Sequence, residues 1–188
     1  HVQQHSPPVS IRRAELCIGC GEVLRTEEEA AVGHEHELLA VEQHEIDGKR
    51  RWMYVHRKGA TRAFGPGHPD ISERYRKIGQ PVIIPGDMGS ASYLLVGTDK
   101  AMSETFGSTC HGAGRRLSRH AAIKAHPVDK VLAKLADVGV YLKAASRKGI
   151  SEEAPGAYKN IDEVVEISQG AGIATKVARF KPLGVVKG

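Results

Sequence analysis

The feature that most constrains this chain is Asp47-Gly48, set between the runs Leu38–Glu45 and Arg51–Arg57. Asp-Gly readily supplies the two positive-φ positions of a type I′ turn, whose twist matches that of paired strands, so this spacing predicts a β-hairpin. The apolar runs that follow are just as short and are broken by glycine and proline. Pro81–Pro85 predicts a short strand entering the loop Gly86-Asp87-Met88-Gly89, and Tyr93–Gly97 a second buried strand. Gly59–Gly79 is a punctuated connection. Helical patterning comes later. Leu117–Ala125 has helical character, Val128–Val138 predicts an amphipathic helix closed by Gly139, and Asn160–Gly170 predicts a helix with Asn160 as its N-cap. Val140–Ala145 is expected to be a strand. Ile173–Pro182 begins apolar and ends basic. The tail from Leu183 is apolar up to Lys187, which predicts an end tucked against the fold. Early hairpins and late helices make the expected class α+β.

Length and charge narrow the functional classes. A chain of 188 residues has room for one ordinary domain with a real core. Lys and Arg number 27 against 22 Asp and Glu, a net charge of +5 that permits a polyanionic partner without requiring one. Three cysteines argue against a disulfide framework and for a reducing compartment, so a cytoplasmic location is expected. No apolar run approaches the roughly 20 residues that span a bilayer. The first residue is His1 rather than Met, which suggests a fragment or a processed piece.

Four constellations carry chemistry. In Thr109-Cys110-His111-Gly112-Ala113-Gly114-Arg115-Arg116-Leu117-Ser118-Arg119, small residues let a ligand approach the backbone and arginines can grip phosphate with two prongs. His111 is then a phosphate contact, a nucleophile forming a phosphoramidate, or simply a satisfied loop histidine. In Ile84–Tyr93 the small residues can turn several N–H groups toward one anion, with Ser90 and Ser92 adding hydroxyls; the bland alternative is a tight strand connection. His56-Arg57-Lys58-Gly59-Ala60-Thr61-Arg62 is either a phosphate-facing edge or a solvated charged loop. Tyr158, within Glu152–Asn160, could stack on a base or bond a ribose, or belong to a turn capping the next helix. Separately, His34, His36 and His44 lie near Glu35, Glu37 and Glu42, a donor mixture suited to Mn²⁺ or Zn²⁺. Cys17-x-x-Cys20 could join His34 and His36 in a small zinc module, although the two histidines are closer than usual for zinc.

From about His36 to Gly188 the chain resembles the C-terminal part of the RtcB-type RNA ligases. The resemblance rests on His-Arg-Lys-Gly-Ala-Thr-Arg-Ala-Phe from His56, Pro-Gly-Asp-Met-Gly-Ser-Ala-Ser-Tyr from Pro85 and Gly-Ser-Thr-Cys-His-Gly-Ala-Gly-Arg from Gly107. Glu-Glu-Ala-Pro-Gly-Ala-Tyr-Lys-Asn from Glu152 and the closing Lys187-Gly188 complete it. It implies GTP- and Mn²⁺-dependent joining of a 2′,3′-cyclic phosphate or 3′-phosphate RNA end, as on tRNA exon halves, to a 5′-hydroxyl end. It makes His111 the residue that becomes guanylylated. It places Pro85, Gly86, Asp87, Met88, Ser92, Gly112, Ala113, Gly114, Tyr158 and Lys187 around the guanosine nucleotide, with Lys58 close by. Arg62, Arg115 and Arg119 become RNA or phosphate contacts, and His36 a Mn²⁺ ligand.

The resemblance also implies a β-sandwich-like core of hairpins and short strands with peripheral helices, and an archease-type activator as a partner. Two departures stand out. Glu37 follows His36 where the family has Asn, and the family's other metal ligands belong to an N-terminal half with no counterpart here. Residues 1–35 align with nothing in the family, and Cys17 and Cys20 do not match its metal motif. The chain is therefore expected to be an incomplete ligase whose N-terminal half is a separate chain. The alternative is a non-catalytic remnant that binds guanosine nucleotide or RNA.

Overall fold

The computed structural model describes residues 15–16, 23–24 and 37–187, with side chains from residue 40 onward. The chain divides into two compact units, residues 1–58 and 59–188. His36, Cys17 and Cys20, and with them the expected Mn²⁺ ligand and the zinc module, lie outside the described residues.

In the first unit β1 (Glu15–Leu16) pairs antiparallel with β2 (Val23–Leu24). The expected hairpin follows as β3 (Glu37–Ile46) and β4 (Lys49–Lys58), paired along their whole length. Asp47 and Gly48 take φ of 51° and 71°, as a two-residue primed turn demands. Alternation then sorts the side chains. Glu42, His44, Val55 and Arg57 are buried on one face, while Val41, Trp52 and Tyr54 are exposed on the other. The buried face holds charge. The Glu42 carboxylate accepts from Arg57 Nη1 at 2.7 Å and Nη2 at 2.8 Å, and His44 Nε2 lies 2.8 Å from Glu42 Oε2. Burial pushes the Glu42 carboxyl up, but the bond and charge of Arg57, helped by His44, outweigh it and hold the group below the usual carboxylate range.

The second unit runs β5 (Ala60–Arg62), β6 (Pro81–Pro85), β7 (Ser92–Gly97), α1 (Asp99–Thr105), β8 (Ser108–Cys110), α2 (Arg119–Ala125) and α3 (Val128–Asp137). It continues with β9 (Tyr141–Ala144), α4 (Arg147–Glu152), a 3-10 turn at Pro155–Ala157, α5 (Ile161–Gly170), β10 (Ala174–Phe180) and β11 (Gly184–Lys187). The class is α+β. β10, β7 and β6 form an antiparallel sheet in that order, while β5 pairs antiparallel with β8 and β11 parallel with β9.

Two apolar clusters organise this unit. Val82, Ile84, Tyr93 and Leu95 project from the sheet onto Ile161 and Val165 of α5. The Tyr93 hydroxyl donates to Asp162 Oδ1 at 2.6 Å and accepts from Arg179 Nε at 3.2 Å, tying sheet to helix at its rim. The second cluster gathers Val131 and Leu135 of α3 with Val140, Ile150, Ala154 and Met88. Val131 and Leu135 are four apart, the spacing that puts both on one helix face.

Capping fixes the helix starts. Ser118 accepts from Ala121 N at 3.2 Å, so α2 begins after it rather than at Leu117. Asn160 Oδ1 accepts from Asp162 N at 2.9 Å, the N-cap expected there. The tail does pack: as β11 it pairs with β9 from Gly184↔Tyr141 to Lys187↔Ala144.

Candidate nucleotide-binding site

The loop between β6 and β7 straddles the two apolar clusters. Ile84 and Ala91 are buried in the first cluster and Met88 in the second, so both the flanks and the middle of the loop are anchored. Packing takes up the Met88 side chain. Asp87 shapes the rest. Its Oδ1 accepts from Gly89 N at 2.8 Å and its Oδ2 from Ser90 Oγ at 2.7 Å. One N–H and one hydroxyl of the expected anion nest are therefore bound by the loop's own carboxylate. Gly86 has no substitute, because a Cβ there would lie 2.2 Å from Ala91 O. Ser92 opens β7 directly opposite Pro85.

β8 delivers the His111 run to the same place. Its pairing with β5 sets Cys110 opposite Ala60, and the next N–H, that of His111, donates to Gly59 O at 3.2 Å. Ala113 is buried in the first cluster and its N–H donates to Pro85 O at 3.0 Å. Gly112 permits this approach, since a Cβ on it would stand 2.9 Å from that carbonyl oxygen. Gly114, at φ 71°, presents its carbonyl to Lys159 N at 2.9 Å. Thus Pro85 meets Ala113 through a main-chain bond, with Gly112 packed against the same carbonyl.

A charged cluster borders this junction. Arg115 forms a β-bridge with Tyr158, and its guanidinium carbon lies 4.9 Å from the centre of that ring. Arg115 donates through Nη1 to Glu153 Oε1 at 3.1 Å and to the Tyr158 hydroxyl at 3.0 Å. Its Nη2 reaches Glu152 O at 2.6 Å and its Nε reaches Leu117 O at 3.1 Å. With Nε, Nη1 and Nη2 all engaged, Arg115 holds the scaffold together. The Tyr158 hydroxyl donates to Glu153, whose Oε2 also accepts from Lys187 Nζ at 3.4 Å.

Burial, with the Glu153 bond and charge behind it, pushes the Tyr158 phenol up to about 12 against the pull of Arg115. Burial pushes Glu153 upward too, but the bond from Tyr158 and the charges of Lys187 and Arg115 prevail and keep it ionised below the usual range. Glu153 is the residue sequence reasoning passed over. Its signal was an acid pair, Glu152-Glu153, in a segment otherwise surrounded by basic motifs.

Arg119 pairs with Glu152 Oε1 at 2.7 Å on an exposed side chain, and the Arg62 guanidinium sits 5.1 Å from the Phe64 ring centre. Lys58 ends β4, in the first unit. Among the described residues no group of three or more His, Cys, Asp or Glu side chains is placed to hold a metal ion. Glu42 and His44, which the composition offered as metal donors, are joined to each other, and Glu42 also to Arg57. The described residues therefore do not form a Mn²⁺ site.

Comparison with known proteins decides the lineage. Residues 17–188 match the family described as tRNA-splicing ligase RtcB. The chain belongs to the RtcB family. The match begins upstream of His36, where the motif-by-motif resemblance starts. The tRNA-splicing ligase RtcB of Pyrococcus horikoshii is 58% identical over 153 residues, 81% of this chain and 18% of that protein. The Pyrococcus furiosus protein of the same name is 55% identical over 173 residues, 89% of this chain and 18% of that protein. That of Thermococcus kodakarensis is 55% identical over 153 residues, 81% of this chain and 32% of that protein. This RtcB chain thus spans 18% to 32% of the length of these relatives. Among the described residues no helix is long and apolar enough to cross a membrane.

Proposed function

We propose that this chain supplies the nucleotide-handling part of a GTP-dependent RNA ligase, with His111 as its nucleophile. An imidazole nitrogen of His111 attacks the α-phosphorus of GTP. A P–N bond forms, the bond to the bridging oxygen breaks, and pyrophosphate leaves. The GMP then passes to an RNA 3′-phosphate. Finally the oxygen of a 5′-hydroxyl displaces GMP, and a 3′–5′ phosphodiester joins the ends. The RNA would be tRNA exon halves, with an archease-type activator and a separate N-terminal half as partners. That half, with His36, would supply the Mn²⁺ ligands.

The bond from Ala113 N to Pro85 O carries the reading, because it brings the His-Gly-Ala-Gly loop and the Pro-Gly-Asp-Met loop into one place. Their small residues leave main chain accessible to a phosphate, while Lys187 and Arg119 add cations at the border. Such main-chain positioning favours in-line attack by fixing nucleophile and phosphorus together.

The test is labelling. The chain is mixed with the upstream portion of the Thermococcus kodakarensis relative, Mn²⁺ and GTP carrying label on its α-phosphate. Label should enter this chain, and His111→Ala should abolish it. Equal labelling of the variant would refute the nucleophile. Reversible guanosine binding with no label in the native chain would favour the non-catalytic remnant.

A further inference from the structure

A cavity of about 280 Å³ lies apart from the His111 loop. Val131, Leu135 and Pro155 wall it, and His126, Lys130 and Lys134 supply its polar and charged lining. Gly89 of the Asp87 loop contributes to the same wall, so the cavity adjoins the candidate nucleotide site.

Three features mark it as a place for an anion. Lys130 and Lys134 are four apart on α3, where like charges share a face and repel. Lys134 lies in the last turn and is favoured there by the helix dipole, but Lys130 is not. Neither lysine has an ion-pair partner among the described residues: Asp129, beside Lys130, binds Arg147 at 2.7 Å instead, and Asp137, three residues beyond Lys134, forms no ion pair with it. The third feature is His126, whose Nε2 is buried with no hydrogen-bond partner. A buried polar atom of this kind is costly unless something satisfies it. Gly156 makes room for the ring, because a Cβ there would stand 2.6 Å from His126 Cε1.

We infer that this cavity receives a backbone phosphate of single-stranded RNA, paired with Lys130 and Lys134 and accepting a hydrogen bond from His126. The inference rests on the RNA-ligase reading above. A phosphodiester supplies the negative charge the two lysines lack and an acceptor for His126, while Val131 and Pro155 offer the ribose an apolar wall. Contacts of this kind fix register on a strand without reading its sequence. A strand end presented to the His111 loop needs such a hold beyond its terminal nucleotide.

Fluorescence anisotropy of a labelled single-stranded RNA bearing a 3′-phosphate, titrated with the chain at several KCl concentrations, tests this. Lys130→Ala/Lys134→Ala should weaken binding at least fivefold. It should also lower the slope of log affinity against log salt by about 0.7, the value for one phosphate contact on a single strand. Lys77→Ala/Lys100→Ala removes the same charge elsewhere and should change little. Equal losses in both double variants would show diffuse attraction and overturn the inference. So would native affinity in Lys130→Ala/Lys134→Ala. If inorganic phosphate stabilises the native chain but not that variant while RNA affinity is unchanged, the cavity takes free phosphate and the RNA assignment falls. No RNA binding by the native chain would instead fell the RNA-ligase reading, and the inference with it.

Discussion

Gly112 and Pro85 show how little space the site leaves at the scale of single residues. A methyl group on Gly112 would press on the Pro85 carbonyl oxygen from 2.9 Å, so Gly112→Ala must push the two loops apart. Overpacking of this kind costs roughly 1–3 kcal/mol. Guanosine labelling should fall at least tenfold while the chain stays folded by circular dichroism; native labelling would mean the loop contact is dispensable. Tyr158 offers a sharper readout. Its phenol, pushed up to about 12 from an ordinary 10.0, keeps its proton when folded over a range where the unfolded chain loses it. The stability from this site is complete below pH 10 and is lost between pH 10 and about 12. Glu153 works in the opposite direction: its stabilisation is present above its ordinary 4.5 and is lost as pH falls below that value. The Tyr158→Phe difference in phenolate absorbance should therefore titrate near pH 12; titration near pH 10 would contradict the cluster with Glu153.

Among the elements, the hairpin was the most legible, because its register follows from a two-residue turn and an alternating pattern. What the pattern hid was charge inside it. Glu42 looked like a metal donor among histidines, and only pairing β3 with β4 brings Arg57 to it across the face. Breaking a buried ion pair by removing one partner costs about 3–5 kcal/mol. Glu42→Leu should lower the urea midpoint accordingly, and a loss below about 1 kcal/mol would show that the trio does not hold the hairpin.

The elements the sequence concealed share a cause. β5 and β8 are three residues each and gain meaning only from each other, across an intervening sheet strand pair and α1. α4 is six residues with Gly149 inside, and its start depends on Ser146 capping that glycine's N–H at 3.1 Å. The loop motifs around Pro85 and His111 were visible as motifs. Their junction was not, since it is made of main-chain bonds that no side-chain pattern reports.

For the whole molecule, family membership and the α+β class stand together, while the catalytic account extends beyond both. The chain covers 18% to 32% of its relatives' length and, among its described residues, holds no metal site. The share of the chemistry proposed for it is the histidine and the loops around it. The most direct measurement is therefore the position of GMP on the labelled chain, read by tandem mass spectrometry after digestion under alkaline conditions that preserve a phosphoramidate. GMP on His111, in the peptide ending at Arg115, is the expected result. GMP on Lys58, Lys159 or Lys187 would make a lysine the nucleophile and contradict the assignment of His111.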